Sequence, residues 1–255
     1  MADNGWLVVI QPIRTERVSA GGADLLSLLD RYVEECPERS ILAVTSKLIA
    51  LCQGRIVDAG AASKEELIAR ESNRYLRAEA NRYGVALTIK GGRLIPTAGI
   101  DESNAGGHYV LWPVDIQAVA NQIRGHLRAR FGRRSLGVII TDSTTAPLRV
   151  GVVGIAIAHS GFLALHDYVG TPDLFGRPLR MTKANVAEGL AAAAVLVMGE
   201  GSEQTPMARL TDLPFVTFQD SEPGPAELAA LRIAPEDDLY GALLEAVPWS
   251  PGEGE

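Results

Sequence analysis

Two cysteines in 255 residues, Cys36 and Cys52, leave no material for a disulfide framework or a cysteine-rich zinc site. Their scarcity points to a reducing, cytoplasmic setting. Positive charge is also short: 24 Lys and Arg against 31 Asp and Glu give a formal net charge of -7. That balance excludes a sequence-independent nucleic-acid binder, which needs a basic surface. A small anionic ligand is not excluded, because local arginines or a metal can reverse the field inside a cleft. The start, Met-Ala-Asp-Asn-Gly-Trp, has neither the basic stretch nor the apolar core of a secretory signal. No run is apolar for long enough to span a bilayer; the segment 191–198 has the length of a buried helix piece, so no membrane role is expected. There is no Gly-Lys-Ser/Thr phosphate loop, and no Gly-x-Gly-x-x-Gly opens a helix after an early strand. Those absences remove Walker-type nucleotidases and dinucleotide oxidoreductases.

What remains is an ordinary globular composition, 47% hydrophobic and 22% charged, with enough chain to bury a substantial core. Short β-branched runs predict strands at 6–10, 41–44, 56–57, 136–140, 151–158 and 215–218, and a hairpin of 85–89 with 93–95 across Gly91-Gly92. Helical spacing predicts helices at 24–35, 115–130, 182–198, 225–232 and 235–247. Ser63-Lys64-Glu65-Glu66 carries the capping-box pattern and opens a further charged helix expected to run to about residue 83. Arg124, Arg128 and Arg130 form a basic polar face on the 115–130 helix. The reading is one α/β domain over 1–248 and a flexible tail at 249–255, where Ser-Pro-Gly-Glu-Gly-Glu has no apolar anchor.

The chemistry concentrates where apolar runs stop. The run 136–140 ends at Thr141-Asp142-Ser143, three oxygen-bearing side chains at the end of a buried strand. Such ends bind ligands in α/β sheets, and hard divalent cations take oxygen ligands of this kind. An ordinary turn opening explains the same letters. The run 41–44 ends at Thr45-Ser46-Lys47, two hydroxyls and a cation suited to phosphate. Asp101-Glu102-Ser103-Asn104 forms a second acidic and amide cluster, for which a metal site and an Asx turn are both open readings. After the alanine-rich helix, Gly199-Glu200-Gly201 lets backbone amides approach a ligand, although glycine past a helix is also an ordinary cap. Arg14 and Arg17 are solvated by default, and His159 lacks a Cys or acidic partner at recognisable spacing.

Taken in order, Thr45-Ser46-Lys47, Ala98-Gly99-Ile100-Asp101-Glu102-Ser103-Asn104, Gly137-Val138-Ile139-Ile140-Thr141-Asp142-Ser143 with Gly151-Val152-Val153-Gly154, and Met198-Gly199-Glu200-Gly201 resemble the coenzyme F420-0:L-glutamate ligases. The likeness covers roughly residues 6 to 220. It implies a mixed-sheet α/β fold in a butterfly-shaped homodimer. It implies a ligase that uses GTP or ATP, with two Mg²⁺ or Mn²⁺ ions and K⁺ as a further candidate ion, to join L-glutamate to an acceptor carboxylate. Carried over position by position, Asp101, Asp142 and Ser143 would hold metal, with the two aspartates catalytic. Ser46, Lys47, Asn104, Gly199, Glu200 and Gly201 would lie at the nucleotide. A carboxylate is a poor electrophile, so the family chemistry first phosphorylates it, and metal ions spread the charge of phosphoryl transfer.

The chain departs from the family pattern at defined places. Leu51 stands where a nucleotide-contacting lysine is usual, Thr144-Thr145-Ala146 and Arg149-Val150 replace Asn-Gly-Arg and paired arginines, and Glu16-Arg17-Val18-Ser19 replaces Leu-Pro. Such a pattern resembles a divergent branch with a folate-type acceptor, so F420-0 and a folate are both carried as acceptors. A regulatory nucleotide-binding homologue without ligase activity is the alternative that these departures raise.

Overall fold

The computed structural model describes residues 7–254, so Trp6 of the first expected strand lies outside the described residues. Strand β1 is Val9–Ile13 and includes Pro12. It lies at the edge of its sheet and pairs with one neighbour, a place that tolerates a proline within a strand, so β1 runs through Pro12 and past the expected end at residue 10. Helix α1 (Leu25–Tyr32) starts on the Asp24 carboxylate, which accepts from Ser27 N. Strand β2 (Ser40–Thr45) runs directly into α2 (Ser46–Cys52). Strand β3 (Ile56–Asp58) leads to α3 (Lys64–Glu71), whose capping box forms in full.

Helix α3 stops twelve residues short of the expected end. Ser72 turns its hydroxyl back onto Ile68 O at 2.7 Å, and the Asn73 N–H bonds Ile89 O, taking the chain into β4 (Arg74–Leu76). The hairpin of β5 (Leu87–Lys90) and β6 (Arg93–Pro96) turns at Gly91 and Gly92, both at positive φ, as expected. Strand β7 (His108–Val110) precedes α4 (Ile116–Phe131). Arg124 of α4 is not on a solvated face: it is 3% exposed and donates to the carbonyls of Leu136 and Gln219 at 2.9 and 2.6 Å.

Strand β8 (Leu136–Thr145) does not end at residue 140 but continues through Asp142 and Ser143, paired antiparallel with β9 (Val152–Ser160) across a bulge at Ile140/Thr141. Strands β10 (Leu165–Asp167) and β11 (Lys183–Asn185) form a ribbon. Residues 183–185 are therefore strand, and α5 (Val186–Met198) begins where Asn185 caps Glu188 N. Strand β12 (Met207–Thr211), which the sequence pattern does not announce, replaces the strand expected at 215–218; there only a Phe162–Phe218 bridge forms. The C-terminal helices are short, α6 (Pro225–Ala229) and α7 (Gly241–Glu245). The tail is not loose: β13 (Ser250–Pro251) pairs with β4, and Gly252, Glu253 and Gly254 donate to Asn73 O, Ala69 O and Ser72 O.

The main sheet has the order β1-β12-β2-β8-β9, antiparallel except for the β2–β8 pair. β2 and β8 are buried on both faces, which explains their continuous apolar runs. Leu42, Val44, Val138 and Ile140 face α1, α2 and α4, while Ile41, Ala43 and Ile139 face α5. A second sheet, β13-β4-β5-β6, carries α3 through Leu67 and Ile68. No helix among the described residues is long and apolar enough to cross a membrane.

Helix α5 lies against β9 because Gly154 has no side chain. A Cβ there would fall 2.6 Å from both Ala191 O and Val195 Cβ. Gly154→Ala is expected to cost about 1–3 kcal/mol by overpacking and to lower the melting temperature by several degrees in thermal denaturation. An unchanged melting temperature would contradict this close approach.

Candidate active site

The parallel register of β2 and β8 sets Thr45 beside Thr141. Both strands turn polar at this level, β2 into Ser46-Lys47 at the first turn of α2 and β8 into Asp142-Ser143. A cleft of about 490 Å³ opens here. Its walls include Thr15 to Val18, Asp101, Asn104, Trp112 and the loop 199–206. The nine residues that the resemblance places at metal or nucleotide, Ser46, Lys47, Asp101, Asn104, Asp142, Ser143, Gly199, Glu200 and Gly201, all line this one cleft.

The turn before Asp101 is strained. Thr97, Ala98 and Gly99 all have positive φ, 51°, 53° and 71°, and a β-branched residue rarely adopts that conformation. Thr88 Oγ1 accepts from Ala98 N at 2.9 Å, and Thr97 Oγ1 donates to Ile100 O at 3.1 Å, which holds the turn. Asp101 then exchanges backbone bonds with Val110 at 2.8 and 2.9 Å. Its Oδ2 is paired with the Lys47 ammonium, and its Oδ1 accepts from Ser103 N and Oγ at 2.9 and 2.8 Å. Burial works to raise the Asp101 carboxyl, but Lys47 and Ser103 outweigh it and hold it below the usual carboxylate range.

Asp142 is different. Its Oδ2 accepts from the Trp112 indole N–H, and its Oδ1 from Ser143 N at 2.8 Å. Burial pushes this carboxyl up to about 6, against the two donors, and the neighbouring Asp101 charge adds to the rise. Ser143 Oγ reaches the Glu200 carboxylate at 3.4 Å. Partial burial, with the charges of Asp101 and Glu203, raises Glu200 as well.

The glycine loop is closed on itself. Gly199 (φ 81°) ends α5, and the space a Cβ would fill is taken by the Glu203 side chain. Gly201 N donates to Glu203 Oε2 at 2.8 Å, and Asn104 Nδ2 donates to Gly201 O at 2.9 Å. Backbone bonds from Thr45 N to Pro206 O and from Thr15 N to Gln204 O tie the loop to the sheet edge.

Other candidates fall differently. Arg17 lines the cleft and Arg14 does not. Leu51, Glu16 and Val18 also line it, so those departures lie within the site, whereas residues 144–150 do not reach it. His159 is buried outside the cleft and meets Glu227 at 3.2 Å, an acidic partner invisible in sequence because it lies 68 positions away. Trp112 carries no motif, whereas Glu203 belongs to the 199–206 loop that the resemblance places near the nucleotide. The available signal for Trp112 is chemical: a buried indole N–H requires a partner.

Among the described residues, no three His, Cys, Asp or Glu side chains form a group able to hold a metal by themselves. A magnesium-type ion does not need such a cage, since it keeps several waters and binds through one or two carboxylates plus substrate phosphates. Asp101 and Asp142, with the Ser143 hydroxyl, fit that mode. The raised Asp142 carboxyl is a group whose ionised form a cation would stabilise.

Asp142 binds its proton more tightly folded than unfolded. Its cost to the folded state is therefore present above about pH 6 and absent below the unfolded value of 3.8. In metal-free protein, carboxyl ¹³C NMR is expected to place the Asp142 midpoint near 6 and Asp101 below the ordinary range, with Asp142→Asn identifying the signal. Two ordinary midpoints would overturn this electrostatic description.

Comparison with known proteins agrees with this geometry. The family model for F420-0:Gamma-glutamyl ligase matches residues 12–212, which spans every wall of the cleft. The coenzyme F420:L-glutamate ligase of Methanopyrus kandleri is 32% identical over 255 aligned positions, covering 91% of this chain and 96% of the relative. That of Methanothermobacter thermautotrophicus is 31% identical over 209 positions, covering 75% and 82%. The Methanocaldococcus jannaschii protein of the same name is 42% identical over a shorter 128 positions, about half of each chain. With a match of this extent and a mixed α/β fold whose sheet edge gathers all four motifs, the chain belongs to the F420-0:gamma-glutamyl ligase family.

Proposed function

We propose that the protein is a metal- and nucleotide-dependent γ-glutamyl ligase that joins the amine of L-glutamate to a carboxylate of coenzyme F420-0. The observation that carries this reading is the convergence of Lys47, Asp101, Asp142-Ser143 and the 199–206 loop, from four separate segments, on one cleft. The names of the relatives support glutamate and an F420-type acceptor.

Asp101, Asp142 and Ser143 would hold the divalent ions, which supply charge neutralisation during phosphoryl transfer. The chain's own part is orientation. Lys47 can turn from Asp101 to a phosphate once a cation takes its place beside the carboxylate. Asn104 and the amide of Gly201, now satisfied by the loop itself, are donors that a nucleotide can recruit. In the proposed sequence, the acceptor carboxylate attacks the γ-phosphorus and the nucleoside diphosphate leaves. The glutamate amine, after losing a proton, then displaces phosphate from the acyl carbon.

A second reading, a binding homologue without turnover, is favoured by one observation: Leu51 lines the cleft where the family pattern has a lysine. Mass-spectrometric turnover with Mg²⁺ or Mn²⁺, glutamate and GTP or ATP, offering F420-0 and dihydrofolate in parallel, separates these readings. One glutamyl group added to F420-0 is the expected result. Addition to folate alone would make the altered wall at residues 16–18 and 51 an acceptor switch. No product despite tight nucleotide binding would favour the binding homologue. Asp101→Asn is expected to lower turnover by at least about 100-fold, since even the partners behind metal ligands contribute about 10–100-fold. Full activity in that variant would remove Asp101 from the site.

A further inference from the structure

The indole of Trp112 is 5% exposed, and its N–H donates to Asp142 Oδ2. Three features build a seat for it. Gly99, at φ 71°, lies so close that a Cβ would fall 2.0 Å from Nε1, so the ring occupies space that any other residue would fill. The Trp112 carbonyl accepts from Arg55 Nε at 3.1 Å. The Lys90 ammonium lies 5.5 Å from the ring centroid. Lys90 is itself held by Glu71 Oε2 at 3.0 Å, the oxygen that also takes Arg55 Nη2 at 2.8 Å. The side chains of Glu71 and Lys90 are only 12% and 14% exposed, so the triad is weakly screened.

A cation over an indole face is attracted to it and draws density from the ring, which makes the N–H a stronger donor. Lys90 thus acts on Asp142 through the ring as well as by its charge at a distance, and does not form an ion pair with it. A lysine in direct contact would neutralise the carboxylate, as Lys47 does for Asp101. An indole fixes the carboxylate plane and leaves its charge available.

We propose that Trp112, backed by Lys90 and Glu71, is the positioning residue for Asp142. It engages Oδ2 and leaves Oδ1, whose other contact is the Ser143 N–H, as the oxygen offered to a divalent cation. The inference rests on the reading of Asp142 as a cation ligand.

The experiment uses full-length protein and Mn²⁺ alone, with free Mn²⁺ followed by electron paramagnetic resonance. Trp112→Phe keeps an aromatic face for Lys90 and removes the N–H together with part of the ring. Its Mn²⁺ affinity is expected to fall about 10–100-fold. Lys90→Met should act in the same direction and more weakly. Because Trp112→Phe can also disturb packing, a second measurement uses the wild type. The indole N–H NMR signal missing in Trp112→Phe should move on Mg²⁺ addition and in Asp142→Asn, while the signals of the other two tryptophans stay in place.

Mn²⁺ binding that is lost in Asp142→Asn but kept in Trp112→Phe, or an indole signal blind to Mg²⁺, would overturn the positioning role and leave the ligand assignment intact. Wild-type protein that takes up no Mn²⁺, or Asp142→Asn with undiminished affinity, would overturn the ligand reading and this inference with it.

Discussion

Parallel pairing of β2 with β8 is the constraint on which the site depends. Both strands are buried on both faces, so each must remain apolar until it leaves the core. Their register, from Ser40 against Leu136 to Thr45 against Thr141, brings the two changes from apolar to polar sequence to the same height. A slip of one residue would exchange the faces of an entire strand and bury polar groups without partners. The core therefore enforces the alignment that places Lys47 and Asp142 in one cleft. The long crossover between the strands carries α3, strands β4 to β6 of the second sheet and Asp101, and returns that aspartate to the same edge.

Electrostatics at this edge are arranged at a cost to the folded state. Asp101, Asp142, Glu200 and Glu203 share a small volume with Lys47 and Arg17. Asp101 is relieved by Lys47, whereas Asp142 has only neutral donors and remains raised. The positive φ values at Thr97 and Ala98 add backbone strain in the same place. Such violations of local rules concentrate at functional sites, where the rest of the structure holds them. Here the support comes from the double-sided core, from the Gly154 contact beneath α5, and from the ordered C-terminal tail against β4.

Where the sequence was legible, a local physical signal decided the structure. The capping box at Ser63, the Gly91-Gly92 hairpin and the apolar runs of β2 and β8 each form as their letters require. Where it was not, a distant partner intervened. Polar Thr141 to Thr145 remain in a strand because β9 supplies backbone partners. Residues 183–185 are extended because β10 lies opposite, and α3 ends early because β5 captures Asn73. The tail, with no apolar anchor of its own, is held by main-chain bonds to residues 69–75.

The sequence by itself determined the chemistry available: which carboxylates, hydroxyls, glycines and single lysine end the apolar runs, and the family that their order resembles. Side-chain identity and hydrophobic spacing are local properties, readable without coordinates. Only the tertiary structure decided that Asp101 is neutralised by Lys47 while Asp142 is not. It alone brought Trp112 to the second carboxylate, closed the glycine loop on Glu203, and drew Leu51 into the cleft while leaving residues 144–150 outside. Burial and charge pairing are set by neighbours far apart in the chain, and no local pattern of letters records them.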